Sequence, residues 1–308
     1  MTGPAREAGL DEPRKRRIAL MYHRNADVWR HKFSDAANQN LNKDRRALLA
    51  VLEREKQAVN WDEVSIGWQQ VYQEAGERWR EAFVPLMQGV MEAQGEQMGV
   101  ALGMEFDVRL LEAEAWFENY TMQFASQVMG ETERELAGLL QQAQREGWSI
   151  PTMQNHLGQM FRQWRNGNMS PSQFDWLDQR MPAWRRELIA RTETIRSSSA
   201  GINRLYQNWG VQYTEWYTVE DDRRCPWCAE MHGKIIPIGG TFFEQGQSMS
   251  VQIGDRVRSM VFNYEAVKHP PLHPGCRCCS LPWKREWAEV GVEVPAGLGP
   301  GAFTPATD

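Results

Sequence analysis

The chain has 308 residues, 35 Lys and Arg against 40 Asp and Glu, and a net charge of −5. At about 150 residues per domain this is one large or two moderate domains, with enough core to fold without staples. Apolar residues make up 42% and charged ones 24%, which excludes wholesale disorder. The charge is distributed in blocks: +5 over residues 1–56, −11 over 57–150, +4 over 151–205 and −3 over 206–308. Such blocks favour contacts with oppositely charged partners or self-association over a uniform nucleic-acid coat. No apolar run approaches the roughly 18 residues of a spanning helix. The short run Ile18–Tyr22 is too brief for a secretory signal.

Residues 1–13 contain Gly and Pro and are expected to fray. Residues 14–33 carry apolar positions at Ile18, Tyr22 and Trp29, a weak helical pattern. Asn42 or Asp44 is a candidate cap for a helix through Leu48, Leu49, Val51, Leu52 and Val59. The longest helical pattern runs from Trp61 to Met98, with Pro85 expected to kink or split it. A loop at Gly99–Gly103 leads to a helix over Val108–Met129, ended by Gly130. The next helix begins at Glu131 or Thr132 and stops at Gly147. Ser149 followed by Pro151 reads as a helix start, and Ser170-Pro171 repeats that signal. A last helical stretch runs from about Pro182 to Trp209 and ends at Gly210.

From Val211 the pattern changes. Residues Gln212–Val219 are β-branched and aromatic, and Lys234–Ile238, Met249–Ile253 and Arg256–Phe262 are further short strand candidates. The end, Ala296–Asp308, is rich in Gly, Pro, Ala and Thr and is expected to be disordered. The expectation is an α+β protein: a helical body over 14–180, a β-rich module over 181–295, and short disordered ends.

Trp occurs 14 times. Trp61, Trp68, Trp79, Trp116 and Trp148 lie in the most acidic block, which would repel phosphate, so they are expected to fill helix–helix contacts. Trp164, Trp176, Trp184 and Trp209 lie in or beside a basic block, where base stacking stays open.

All five Cys lie between Cys225 and Cys279. That clustering speaks against a disulfide-stapled secreted protein and for a metal or redox site in a reducing cytoplasm. Cys225-Pro226-Trp227-Cys228 offers two thiolates from one knuckle, and His273, Cys276 and Cys278 offer a second half-site. Structural zinc joins two such half-sites in a tetrahedron, and in a small β module the metal supplies much of the folding energy. Cys225 and Cys228 form the first pair. The other two ligands come from His273, Cys276 and Cys278, which the sequence leaves open. Cys279 would point away along an extended chain, and His232 and His269 are reserves. A redox dithiol at Cys225/Cys228 would leave the second cluster without a role, and inert thiols would leave the spacing unexplained. Neither an H-x-E nor an H-E-x-x-H occurs. Asp221, Asp222 and Glu230 are the acids near the knuckle, read more readily as turn residues than as a general base.

Two stretches carry a family resemblance. One is Ile189-Ala190-Arg191-Thr192-Glu193-Thr194 with Asn203 on the same helix. The other begins at Trp216-Tyr217-Thr218, passes through Asp221-Asp222-Arg223-Arg224-Cys225-Pro226-Trp227-Cys228 and His232-Gly233-Lys234, and ends at His269-Pro270-Pro271-Leu272-His273-Pro274-Gly275-Cys276-Arg277-Cys278. Over residues 185–283 the chain resembles the phage Mu F-like head morphogenesis family, minor head proteins of tailed bacteriophages. Residues 1–180 carry no motif that stands out, so the resemblance says little about them. The resemblance implies a virion protein, met in the host cytoplasm during assembly, that works without enzymatic activity. Its partners would be the portal protein and capsid or scaffold subunits, with a weak contact to packaged DNA, an aid to packaging or ejection, and no membrane. Arg191 and Glu193, about 200° apart on a helix, would be structural and pair with separate partners, anchoring the helix to the zinc module. A zinc-dependent nuclease or other metal-dependent hydrolase using Asp221, Asp222, Glu230 and His232 is the alternative. Some members of that family carry a C-terminal toxin domain; with roughly 25 residues after Pro282, no such domain is expected here.

Overall fold

A computed structural model describes residues 10–55, 59–103, 130, 132–166, 185–218, 220–221, 224–262 and 265–283. Six helices and five strands follow in chain order among them. The helices are α1 (Glu12–Arg54), α2 (Trp61–Leu102), α3 (132–146), α4 (Ile150–Asn166), α5 (Arg185–Asn208) and α6 (Pro226–Met231). The strands are β1 (Tyr213–Thr218), β2 (Ile235–Pro237), β3 (Ser248–Ile253), β4 (Arg256–Val261) and β5 (Cys278–Trp283). The α+β expectation holds: a helical N-terminal part, then small antiparallel sheets. No described helix is long and apolar enough to cross a membrane.

The described residues divide into two compact units. One takes in 28–89 and 130–194. In it the two long helices run antiparallel: Phe33 meets Phe83 edge-on at 5.4 Å, and Trp68 Nε1 donates to the Leu48 carbonyl at 3.2 Å. Asp44 lies between them, buried, accepting from Trp79 Nε1 at 2.9 Å and paired with Arg78. Asp44 and Asn42 are therefore not caps; α1 runs through both without a break. A buried carboxylate with two partners on the facing helix looks, in sequence, like a polar interruption. The cap that does occur is Asn60, whose Oδ1 accepts from Asp62 N at 3.1 Å and opens α2.

Pro85 does not split α2. A proline removes one donor, and the buried face around it (Trp79, Phe83, Met87, Val90) outweighs that loss. Nor is there a loop at Gly99; α2 continues to Leu102 and stops at Gly103, which takes φ +71°. Ser149 opens α4 as expected, its Oγ accepting from Thr152 N at 3.3 Å. In α4, Met153, Leu157, Phe161 and Trp164 are buried at helical spacing. Trp68 and Trp79 are fully buried too, so these three Trp are core residues, whereas Trp209 is 44% exposed. The expected helix at Val108–Met129, the Ser170-Pro171 start, Trp116, Trp176 and Trp184 lie outside the described residues.

The second unit takes in 10–27, 90–103 and 195–283. Its sheet has the order β2-β1-β5, all antiparallel, and β3 and β4 form a separate hairpin. A core of Ile18, Tyr22, Met98, Ile202, Leu205, Tyr206, Tyr217 and Leu281 joins the helices to this sheet. Lys15 reaches the buried Glu215 of β1 at 2.7 Å, and Tyr217 donates to Glu12 at 2.8 Å. Where α5 crosses α2, Gly201 lies so close that a Cβ would sit 2.7 Å from the Met91 carbonyl. The four expected strands appear as β1 to β4, close to their expected bounds. β5 is an addition to that expectation. It pairs with β1 along six residues, from Tyr213↔Trp283 to Thr218↔Cys278.

Candidate metal centre

The C-x-x-C knuckle is built at the start of α6. Cys225 is the N-cap, its Sγ accepting from Cys228 N at 3.2 Å, and Pro226 occupies the first helical position. The second half-site lies in the irregular segment before β5, where Cys276 N donates to the His273 carbonyl at 3.1 Å. Cys276 Sγ in turn accepts from Cys278 N at 3.4 Å. Thus one sulfur in each half-site already has a backbone N–H directed at it, as a thiolate needs.

The halves meet. His273 Nε2 lies 3.1 Å from Cys225 Sγ and 3.3 Å from Cys228 Sγ, and Cys228 Sγ is 3.7 Å from Cys276 Sγ. Two sulfurs each about 2.3 Å from one tetrahedral zinc would be about 3.8 Å apart, and a sulfur and an imidazole nitrogen about 3.5 Å. Donor atoms group as Cys225, Cys228, His273 and as Cys228, Cys276, Cys278, each group within 4.8 Å and all buried. Cys228 belongs to both. The five residues singled out in sequence are thus brought together.

The imidazole is set for a metal. His273 Nδ1 lies 2.9 Å from the Pro274 carbonyl, which only accepts, so Nδ1 carries the hydrogen and Nε2 faces the sulfurs. The reserve histidines are elsewhere engaged. His232 Nδ1 accepts from Thr218 N at 3.2 Å, and His269 Nδ1 donates to the Pro270 carbonyl at 2.8 Å. Cys279 is in the core of its unit, beyond both donor groups, as the alternation of an extended chain requires.

Electrostatics separate the thiols. Cys225 is brought down to about 5 by the Cys228 hydrogen bond, against burial, with help from the charge on His273. Burial opposes a charged His273, but the Cys225 thiolate prevails and lifts it to about 9. Burial likewise opposes a Cys276 thiolate, yet contacts with Cys228 and Cys278 hold it well below the ordinary thiol range. Cys228 is pushed up as the donor to Cys225, and Cys278 and Cys279 are pushed up by burial. A set of soft sulfurs and one oriented imidazole, part of it already ionised, suits zinc.

Three residues whose roles the sequence does not reveal complete the surroundings. Arg277 grips Asp221 with both ends of its fork, at 2.8 and 2.6 Å. Asn203 of α5 donates to Ser280 Oγ at 3.3 Å, and Tyr206 donates to the Ser280 carbonyl at 3.2 Å, so α5 braces β5 beside the thiols. The Asp221 carboxylate is thus engaged in a long-range ion pair, and Asp222 lies outside the described residues. Glu193 is buried and Arg191 half-buried on α5.

Residues 130–281 match the sequence model of the family described as Phage Mu protein F like protein. Those residues belong to that family. The match takes in every thiol of both half-sites and reaches back to residue 130, well before the stretch from 185 that carries the motifs. The Mu F-like family is a structural head-protein family, so membership points to phage head morphogenesis. No curated protein and no solved structure matches the chain.

Proposed function

We propose that the protein is a minor head protein of a tailed bacteriophage, resident in the virion, whose β module is held by one structural zinc ion. The Mu F-like match over 130–281 carries the head-morphogenesis reading. The ligands would be Cys225, Cys228, His273 and Cys276. Supporting this set are the contacts of Cys228 with His273 and Cys276 and the Nδ1–H tautomer of His273. Cys278 is then the spare, its N–H supporting Cys276 Sγ. Zinc there would cross-link the start of α6 to the segment preceding β5 and serve no reaction. A hydrolytic role finds less support, because Asp221 is held by Arg277 and His232 by the Thr218 amide.

Within the head, the proposed place is the portal vertex or the procapsid interior, in contact with portal and capsid or scaffold subunits. The alternating charge blocks favour such protein contacts over DNA. Co-expression of the full chain with the portal protein of the same phage, followed by sizing, tests this. Co-migration is expected; separate elution at every salt concentration would overturn the portal assignment. Elemental analysis of the protein purified without added metal should give one zinc per chain.

A further inference from the structure

We propose that Arg277, oriented by Asp221, is a positioning residue of the metal centre: its fork fixes the second half-site against the first. This rests on the metal reading above. The second half-site needs such a fix. It lies in the 265–277 segment, which has no regular helix or strand beyond a single bridge at Val267. Its own bonds, Cys276 N to the His273 carbonyl and Cys278 N to Cys276 Sγ, shape it locally and say nothing of where Cys225 and Cys228 lie.

The Asp221–Arg277 pair spans the same gap as the ligands. Asp221 comes four residues before Cys225, and Arg277 sits between Cys276 and Cys278. Two parallel bonds, Nη1 to Oδ2 at 2.8 Å and Nη2 to Oδ1 at 2.6 Å, set both separation and rotation. A lysine would supply the charge without the fork. The pair is neutral as a unit, so its effect on a dication is one of geometry. A second ion pair, Arg196–Glu265, anchors the head of the same segment to α5 but does not bridge the two half-sites. It serves as the internal control.

The test uses the full-length protein, with zinc affinity by chelator competition and cobalt spectra to report coordination. Arg277→Gln and Asp221→Asn should each weaken zinc binding by about 10–100-fold, the range for residues that orient metal ligands. Both should alter the cobalt ligand-field bands. The double variant should bind no worse than the weaker single one, and Arg277→Lys should not rescue. Glu265→Gln should stay within about twofold of the parent with an unchanged cobalt spectrum. Should Arg277→Gln fail to fold, Asp221→Asn, which keeps every packing atom, decides the matter alone. Parent-like affinity and spectra in Asp221→Asn would overturn the proposal, as would an equal loss in Glu265→Gln. If the parent itself takes up neither zinc nor cobalt, the metal reading falls, and the positioning role with it.

Discussion

Metal uptake at neutral pH should release two protons, so affinity should climb steeply as pH rises. At pH 7, Cys225, held at about 5, and Cys276, held well below the thiol range, are already thiolates. His273, lifted to about 9, carries a proton on Nε2, and Cys228, pushed up, keeps its own. A cation can bind only after both leave. The sign follows: lowering the pH fills these sites and weakens binding. Each released proton contributes a decade, about 1.4 kcal/mol, per pH unit. Two give about a hundredfold gain per unit from about pH 6 to 9. Above about 9, His273 has already lost its proton, and the slope should fall to one. With Cys278 as fourth ligand in its place, a second raised thiol would keep the slope at two past that point. Calorimetry at pH 7 in buffers of different ionisation heat counts the protons directly, and chelator competition from pH 6 to 10 gives the slope. No proton release, or affinity flat with pH, would refute the electrostatic account of the site.

Cys228→Ser should abolish stoichiometric metal binding, while Cys279→Ala should keep one metal per chain and cost about 1 kcal/mol in denaturant titrations. Asp44→Ala should destabilise by about 3–5 kcal/mol, because it strands Arg78 beside a buried Trp79 indole, and zinc content should not change. Gly201→Ala should cost about 1–3 kcal/mol by calorimetry, since its Cβ meets the Met91 backbone carbonyl rather than a yielding side chain. Chelation of the metal should lower the melting temperature of the parent and leave that of Cys228→Ser unchanged.

The helices are legible in sequence where local signals act alone. Ser149 with Pro151 locates α4, and Gly147 and Gly210, both at positive φ, mark the expected stops. Local signals mislead where tertiary contacts reverse them. Asp44 looks like a cap until its partners on α2 are known, and Pro85 looks like a break until the buried face around it is seen. The five donors are legible because ligand spacing is local within each half-site. Which four act together is not, because that depends on Nε2 and Sγ separations across the fold. β5 is hidden by its composition: Cys278 reads as a ligand and Pro282 reads as a strand breaker. The strand order resolves this, since β5 is at an edge of the sheet, where a missing donor is tolerated.

That edge strand connects the thiol–imidazole cluster to the rest of its unit. Its side chains alternate: Cys278 faces the thiol cluster, and Cys279 faces the core with Tyr22 and Tyr206. The next residue, Ser280, takes hydrogen bonds from Asn203 and Tyr206 of α5. A one-residue slip would move Cys278 into the core and Cys279 toward the donors, and would break both bonds to α5. The centre and the core therefore specify the same register. It follows that loss of the metal should not loosen the knuckle alone. It should weaken β1–β5 pairing, and hydrogen exchange on chelation should rise along Cys278–Trp283 before it rises in β3 and β4, which among the described residues pair with each other and not with that sheet.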